Sequence, residues 1–202
     1  MRDRLFTAGF GLKWISHEGA EAHGPDGFAG LGALSRIAKP VIAAVNGLVG
    51  GGFEIVLLCH LTIPAENVEF PLPELPFDAI PGSRRAVLLL RQMPRALALQ
   101  RLLTWQRLDS AAALRYDMVN KVVPRSKLIS AVRQSADAIL LAASLAVSAP
   151  LEFLNFSAGL TAGEVSAELR GLPDHQRMLD SHGRREGAVA FAEKRAPLWL
   201  EN

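Results

Sequence analysis

Cysteine is nearly absent from this chain: Cys59 stands alone. That excludes an internal disulfide framework and a cysteine metal cluster, and it fits a reducing, cytoplasmic setting. Long apolar runs are missing too. The opening residues Met1-Arg2-Asp3-Arg4-Leu5-Phe6 contain no apolar h-region, and no stretch reaches the length of a membrane span, so no membrane partner is expected. The longest apolar stretches, Ile139 to Val147 and Ile55 to Cys59, are broken by small or polar residues and read as buried helices. Charge of a single sign is lacking, since 22 basic residues against 20 acidic ones leave a net +2. There is no basic stripe interleaved with aromatics, so nucleic acid is not an expected partner. Internal repeats, low-complexity tracts, a Ser-His-Asp spacing and a metal-ligand cluster are likewise absent, and no metal is expected.

What is present is an ordinary globular composition, with half of the 202 residues apolar. That length suits one core with a small appendage. The most informative stretch is Gly50-Gly51-Gly52-Phe53-Glu54, placed just after the apolar run Val41 to Val45 and the turn Asn46-Gly47. It joins a strand, a glycine loop and a carboxylate-bearing helix. Glycine lets backbone approach a ligand closely, and the first N–H groups of the helix point outward. The helix dipole adds to that field, so partial negative charge on an oxygen is favoured there, with Glu54 beside it. Simple close packing of glycines is the competing explanation of the same residues.

Along the chain, Leu5-Phe6 reads as a strand end, residues 16 to 27 as a polar loop, and Phe28 to Ile37 as helical. Val41 to Val45 reads as a strand covered on both faces. The helix opened by Gly50 precedes a short strand, Leu61-Thr62-Ile63, where Pro64 implies an end or an edge. Strand, helix and strand in that order suggest a crossover unit of an α/β protein. The prolines of Pro71-Leu72-Pro73-Glu74-Leu75-Pro76 hold a rigid, non-helical segment. Helices are expected over Arg84 to Met93, over Arg95 to Leu103, and from the cap Asp109-Ser110 to Tyr116. Val119 to Val123 reads as a last short strand. Helices follow over Lys127 to Ala149 and Leu151 to Ser157, from the capped start Thr161-Ala162-Gly163-Glu164, and over Arg185 to Arg195.

Lys39-Pro40-Val41-Ile42-Ala43-Ala44-Val45-Asn46-Gly47 with Gly50-Gly51-Gly52-Phe53-Glu54 resembles the enoyl-CoA hydratase/isomerase (crotonase) superfamily. Phe6-Thr7-Ala8-Gly9-Phe10-Gly11-Leu12-Lys13 resembles that superfamily's first oxyanion-loop motif. Leu72-Pro73-Glu74 and Ile80-Pro81-Gly82 resemble its second acidic motif. Met118 to Pro124 resembles its last strand, and Gly187 to Arg195 its C-terminal signature. Gly24 to Leu31, the phenylalanine after the triple glycine, and Arg195-Ala196-Pro197-Leu198-Trp199 are most similar to the carnitinyl-CoA dehydratase (crotonobetainyl-CoA hydratase) branch.

The resemblance implies an α/β fold: a crotonase-like spiral of ββα units over residues 1–124, N-terminally incomplete, then a C-terminal helical region over 125–202. It implies reversible hydration of an enoyl-CoA thioester, in which the backbone N–H groups of Phe10 and Gly51 stabilise an enolate-like oxygen. Glu54 and Glu74 stand where the two catalytic carboxylates stand. Taken alone, Glu74 would be a solvated acid, and it is the motif that points to catalysis. Ala8, Gly50, Gly82, Phe191 and Lys194 fall at substrate or CoA positions, although Lys194 reads equally as a solvated helix-end lysine. No separate cofactor is implied, because coenzyme A is part of the substrate. A homotrimer or dimer of trimers is the implied assembly. His60 reads as packed or solvated, and Trp199 as an anchor for the tail. A trimethylammonium substrate would favour an aromatic face, but the candidates Trp14 and Phe53 read first as packing residues.

The sequence also departs from the family. It starts at the first oxyanion motif, so the family's opening strands are expected to be missing. Gly11 stands where aspartate is usual, and Asp78, Arg84, Arg85, Trp105 and Asp117 fall where small residues or glycines are usual. If those glycines held positive φ, each replacement costs about 1–3 kcal/mol. A noncatalytic relative, acting as an oligomer subunit without turnover, is the alternative to an active hydratase.

Overall fold

A computed structural model of the chain describes residues 5–7, 30, 37, 39–72, 83–157 and 159–199. These fall into two compact units, one built on 41–134 with 5–7 and 30, the other on 135–199 with 37, 39 and 40.

In the first unit, β1 (Leu5–Thr7) pairs in parallel with β3 (Leu48–Val49), and β2 (Ile42–Val45) pairs in parallel with β4 (Leu61–Pro64). Helix α1 (Phe53–Leu58) lies between β3 and β4 in the chain, so the expected crossover unit is present. The strand β2 is covered on both faces, as its unbroken apolar run requires. Ala43 and Val45 enter the larger core with Val49, Phe53, Val56 and Leu57, whereas Ile42 and Ala44 pack on a smaller cluster of Ile63, Val123, Leu128 and Ala131. Pro64 ends β4, the position at which a residue without an N–H does least harm to a ladder. An antiparallel pair, β5 (Glu69–Phe70) and β6 (Leu108–Asp109), closes the set of described strands.

The expected strand over Val119 to Val123 is corrected to a single parallel bridge, Val123 to Ala65. A side chain takes the place of the ladder: the Thr62 N–H donates to Asn120 Oδ1 at 2.7 Å, and the Asn120 N–H donates to the Thr62 carbonyl at 2.9 Å. The backbone of 119–122 is thereby tied to β4 without continuous strand geometry.

Helices α2 (Ser83–Gln92), α3 (Arg95–Thr104) and α4 (Ser110–Arg115) lie where apolar periodicity and caps place them. The Asp109 carboxylate accepts from the Ala112 N–H at 2.7 Å, as an N-cap should. The expected helix over Phe28 to Ile37 lies outside the described residues, apart from Gly30 and Ile37.

Two suspected glycine replacements are strained. Trp105 caps α3 at φ 43, and Asp117 follows α4 at φ 57. The Met118 N–H donates to the Ala113 carbonyl and the Asp117 N–H to that of Leu114, the bond pattern in which a left-handed residue, usually glycine, closes a helix. The left-handed conformation costs an L-residue roughly 1–2 kcal/mol, and aspartate tolerates it better than tryptophan. Trp105 is exposed, so little packing offsets its strain. Trp105→Gly is expected to raise Tm by about 2–4 °C, and Asp117→Gly by less, in thermal unfolding followed by circular dichroism.

The second unit is helical. It takes in the later turns of α5 (Leu128–Leu140), then α6 (Ser144–Phe156), α7 (Ala162–Glu168), α8 (Pro173–Asp180) and α9 (His182–Glu193). The capping box is present: Thr161 Oγ1 accepts from the Glu164 N–H, and the Glu164 carboxylate accepts from the Thr161 N–H. At α8 the cap comes from another helix, because Glu152 Oε2 accepts from the Asp174 N–H at 2.9 Å.

The helix break is corrected from the vicinity of Pro150 to residues 141–143. Pro150 sits inside α6 on its exposed side, while Ser148, Ala149 and Leu151 are buried and hold the helix together. At the actual break the Leu141 carbonyl accepts from the Trp199 indole N–H at 2.7 Å. Trp199 is thus an anchor for the tail, as expected. Its ring lies 3.5 Å from the position a Cβ would take on Gly187. The stretch from Ile139 to Val147 is not a buried helix: Leu140 and Leu141 are 73 % and 77 % exposed.

The Glu186 carboxyl is held well below the usual range, at about 2, first by the Arg195 guanidinium and then by the Leu198 N–H. A depressed folded-state pKa contributes stability above the unfolded value near 4.5 that is lost as pH falls toward 2. The Tm difference between the unaltered chain and Glu186→Gln is therefore expected to be full at pH 6 and to shrink between pH 4.5 and 2.

Candidate active site

The glycine stretch is a turn that delivers β3 into α1. The Phe53 N–H donates to the Gly50 carbonyl at 3.2 Å and the Ile55 N–H to the Gly52 carbonyl at 3.0 Å, with Gly52 as the N-cap at φ −83. None of the three needs a positive φ. For Gly52 the reason for glycine is close packing: a Cβ there would run into Cγ2 and Oγ1 of Thr7 and lie 2.9 Å from its Cβ. The end of β1 and the start of α1 therefore meet at a point that only glycine permits. Gly52 thus serves the packing reading, and Gly50-Gly51 form the turn beside it. Because α1 has only six residues, any anion field at its start comes from local amides more than from a long macrodipole.

Phe53, Val56 and Leu57 form the buried stripe of α1, which leaves Glu54 half-buried on the first turn and off the core. Among the described residues no hydrogen bond or ion pair engages its carboxylate. Phe53 itself is 1 % exposed and packs on Phe70 with ring centroids 5.3 Å apart. Its ring is core and offers no face to a cation. That contact, with Leu72 buried in the same cluster, ties α1 to the start of the proline-braced segment. Gln92 Nε2 adds a bond from the end of α2 to the Leu57 carbonyl at 2.7 Å.

Of the expected site residues, Glu54, Gly50 and Gly51 share this turn and helix. Phe191 and Lys194 lie in the second unit at the end of α9, where Phe191 is 87 % exposed and Lys194 is left-handed at φ 56. Ala8, Phe10, Glu74 and Gly82 lie outside the described residues, as do Trp14, Gly11, Asp78 and the side chains of Arg84 and Arg85.

Sequence reasoning missed the role of His60. Its Nδ1 accepts from the Val41 N–H at 2.9 Å, while the Val41 carbonyl accepts from the His60 and Leu61 N–H groups. The ring thus splices the entry of β2 to the entry of β4, and burial pushes its pKa down. Burial also pushes the neighbouring Cys59 thiol up, which favours the unreactive thiol. No local sequence signal would have found the His60 bond, because its partner is nineteen positions away.

Parallel strand pairs, with a glycine turn leading into a helix that carries a half-buried carboxylate, define an α/β protein. The sequence comparisons give the family. Residues 2–202 match the profile described as Enoyl-CoA hydratase/isomerase, and the chain belongs to that family. It is similar to proteins named carnitinyl-CoA dehydratase: 38 % identical over 206 residues to that of Proteus mirabilis (strain HI4320), and 37 % over 202 residues to that of Salmonella typhi. Each match covers 98 % of this chain and 77 % of the relative. Among solved structures, enoyl-CoA hydratase from Mycobacterium tuberculosis H37Rv superimposes with a TM-score of 0.88 at 28 % identity, covering 98 % of this chain and 78 % of that one. The expected α/β class is met by the parallel strand pairs, the helical C-terminal part and this superposition.

Proposed function

We propose that the chain catalyses reversible hydration of an enoyl-CoA thioester, with crotonobetainyl-CoA/carnitinyl-CoA as the preferred pair. Water adds across the conjugated double bond, its oxygen to the β carbon and a proton to the α carbon, and no cofactor is consumed. The N–H groups of Phe10 and Gly51 stabilise the enolate-like oxygen, each lowering the barrier by roughly 3–4 kcal/mol. Glu54 and Glu74 share the work of activating water and handling the α proton. Ala8, Gly50 and Gly82 line the acyl end, and Phe191 and Lys194 meet the CoA nucleotide. The observation that carries this reading is the half-buried carboxylate of Glu54, two residues past the glycine turn, which no described residue engages. The names of the relatives support the choice of acyl group.

The test is loss of the conjugated enoyl-thioester absorbance with crotonobetainyl-CoA and with crotonyl-CoA. Faster turnover of the former supports the carnitine branch, faster turnover of the latter a generic hydratase, and none from folded protein sinks the hydratase reading. Self-association into trimers is part of the proposal, supported by the exposed Leu140, Leu141, Leu154 and Leu198. Light scattering on the eluted protein reads it directly.

A further inference from the structure

Residues 195–199 fold back onto α9, and beside the Trp199 anchor a charged hub holds them there. Arg195 donates from Nη1 to Glu186 Oε1 at 2.5 Å and from Nη2 to Oε2 at 3.0 Å, a two-pronged pair. Glu186 Oε1 also accepts from the Leu198 N–H at 2.7 Å, and Arg195 Nε donates to Glu193 Oε2 at 2.6 Å. The Glu186 side chain is 11 % exposed and that of Glu193 57 %, so Glu186 is the sheltered partner.

Lys194 lies between this clamp and the helix. Its φ of 56 and ψ of 36 reverse the chain, with the Arg195 N–H returning to the Ala190 carbonyl at 3.0 Å. A lysine pays a conformational cost in that region that a glycine would not. The clamp immediately following is what holds it there. The clamp also settles the charges: Arg195 occupies the carboxylates of Glu186 and Glu193, and among the described residues none pairs with the Lys194 ammonium. The outcome is a cation that no described residue engages and, three residues back in the last turn of α9, an exposed Phe191 ring able to stack on a base.

We propose that Glu186 is a positioning residue for the nucleotide end of the substrate, setting Lys194 and Phe191 through Arg195 and the Leu198 amide. This rests on the reading that Lys194 and Phe191 meet the CoA nucleotide. Calorimetric titration with butyryl-CoA, which cannot be hydrated, and with butyryl-pantetheine, which lacks the nucleotide, separates the two. Glu186→Gln is expected to weaken butyryl-CoA binding roughly tenfold and to leave butyryl-pantetheine unchanged. Arg195→Lys, which keeps the charge but loses the fork, should give the same selective loss, and Glu186→Asp should recover part of it. Equal loss for both ligands, or no loss for either, overturns the proposal. If Lys194→Ala and Phe191→Ala also fail to discriminate the ligands, the nucleotide reading itself falls. If they discriminate and Glu186→Gln does not, only the clamp proposal falls.

Discussion

Glu54→Gln is expected to lower kcat for enoyl-CoA hydration by about 10²–10⁴-fold while leaving Tm nearly unchanged. The two effects separate because of where Glu54 sits. It is half-buried, off the stripe of Phe53, Val56 and Leu57, and no described residue pairs with its carboxylate. The amide keeps the shape and loses only the ability to take and return a proton, together with a favourable charge on the first helical turn worth a few tenths of a kcal/mol. Glu74→Gln should match it in kcat, and the double variant should fall little below either single one if the pair acts as a unit. Glu66→Gln, in an exposed turn, is the control and should retain full activity. Unchanged turnover in Glu54→Gln would remove the acid/base assignment of Glu54, whereas no turnover from the folded, unaltered chain would leave the noncatalytic reading standing.

The second large effect is expected at Gly52. Gly52→Ala places a methyl group against Thr7, at a junction where β1 and α1 meet without spare room. Overpacking of this kind costs typically 1–3 kcal/mol, which at this chain length corresponds to several degrees of Tm. The threonine side chain is branched and stiff, so backbone must yield, and the backbone nearest at hand is the turn carrying Gly51. Activity should therefore fall by more than stability alone predicts, since displacement of about 1 Å costs up to 10²-fold. Thr7→Ala in the Gly52→Ala background removes the two clashing atoms and should restore part of the Tm. Absence of coupling in that double-mutant cycle would show that the two residues do not meet. Val49, on β3 beside Thr7 in the parallel pair, offers a paired-strand comparison whose truncation should cost stability without that coupling.

The alternative of a noncatalytic relative drew on the replaced glycines. Trp105 and Asp117 do carry left-handed strain, but they close helices α3 and α4 and do not belong to the glycine turn of α1. Their cost falls on stability, and reverting them to glycine should stabilise the chain without altering kcat.

What the sequence by itself determined is what short-range physics controls. The apolar run of β2, the caps at Asp109 and Thr161, the helical periodicity of α2 and α3, and the strand, glycine turn and helix around Glu54 are set by neighbours within a few residues. The family followed from the same short motifs. The tertiary structure decided what needs a distant partner. The reason for glycine at 52 lies in Thr7, and His60 reveals its role only through Val41. Residues 119–122 fail to form a strand because the Asn120 side chain satisfies the Thr62 N–H. The helix ends at Leu140 and not at Pro150, since buried neighbours hold α6 together across the proline and Trp199 takes the Leu141 carbonyl. In each case the deciding hydrogen bond or clash joins residues far apart in the chain, and no local pattern encodes which of them will meet.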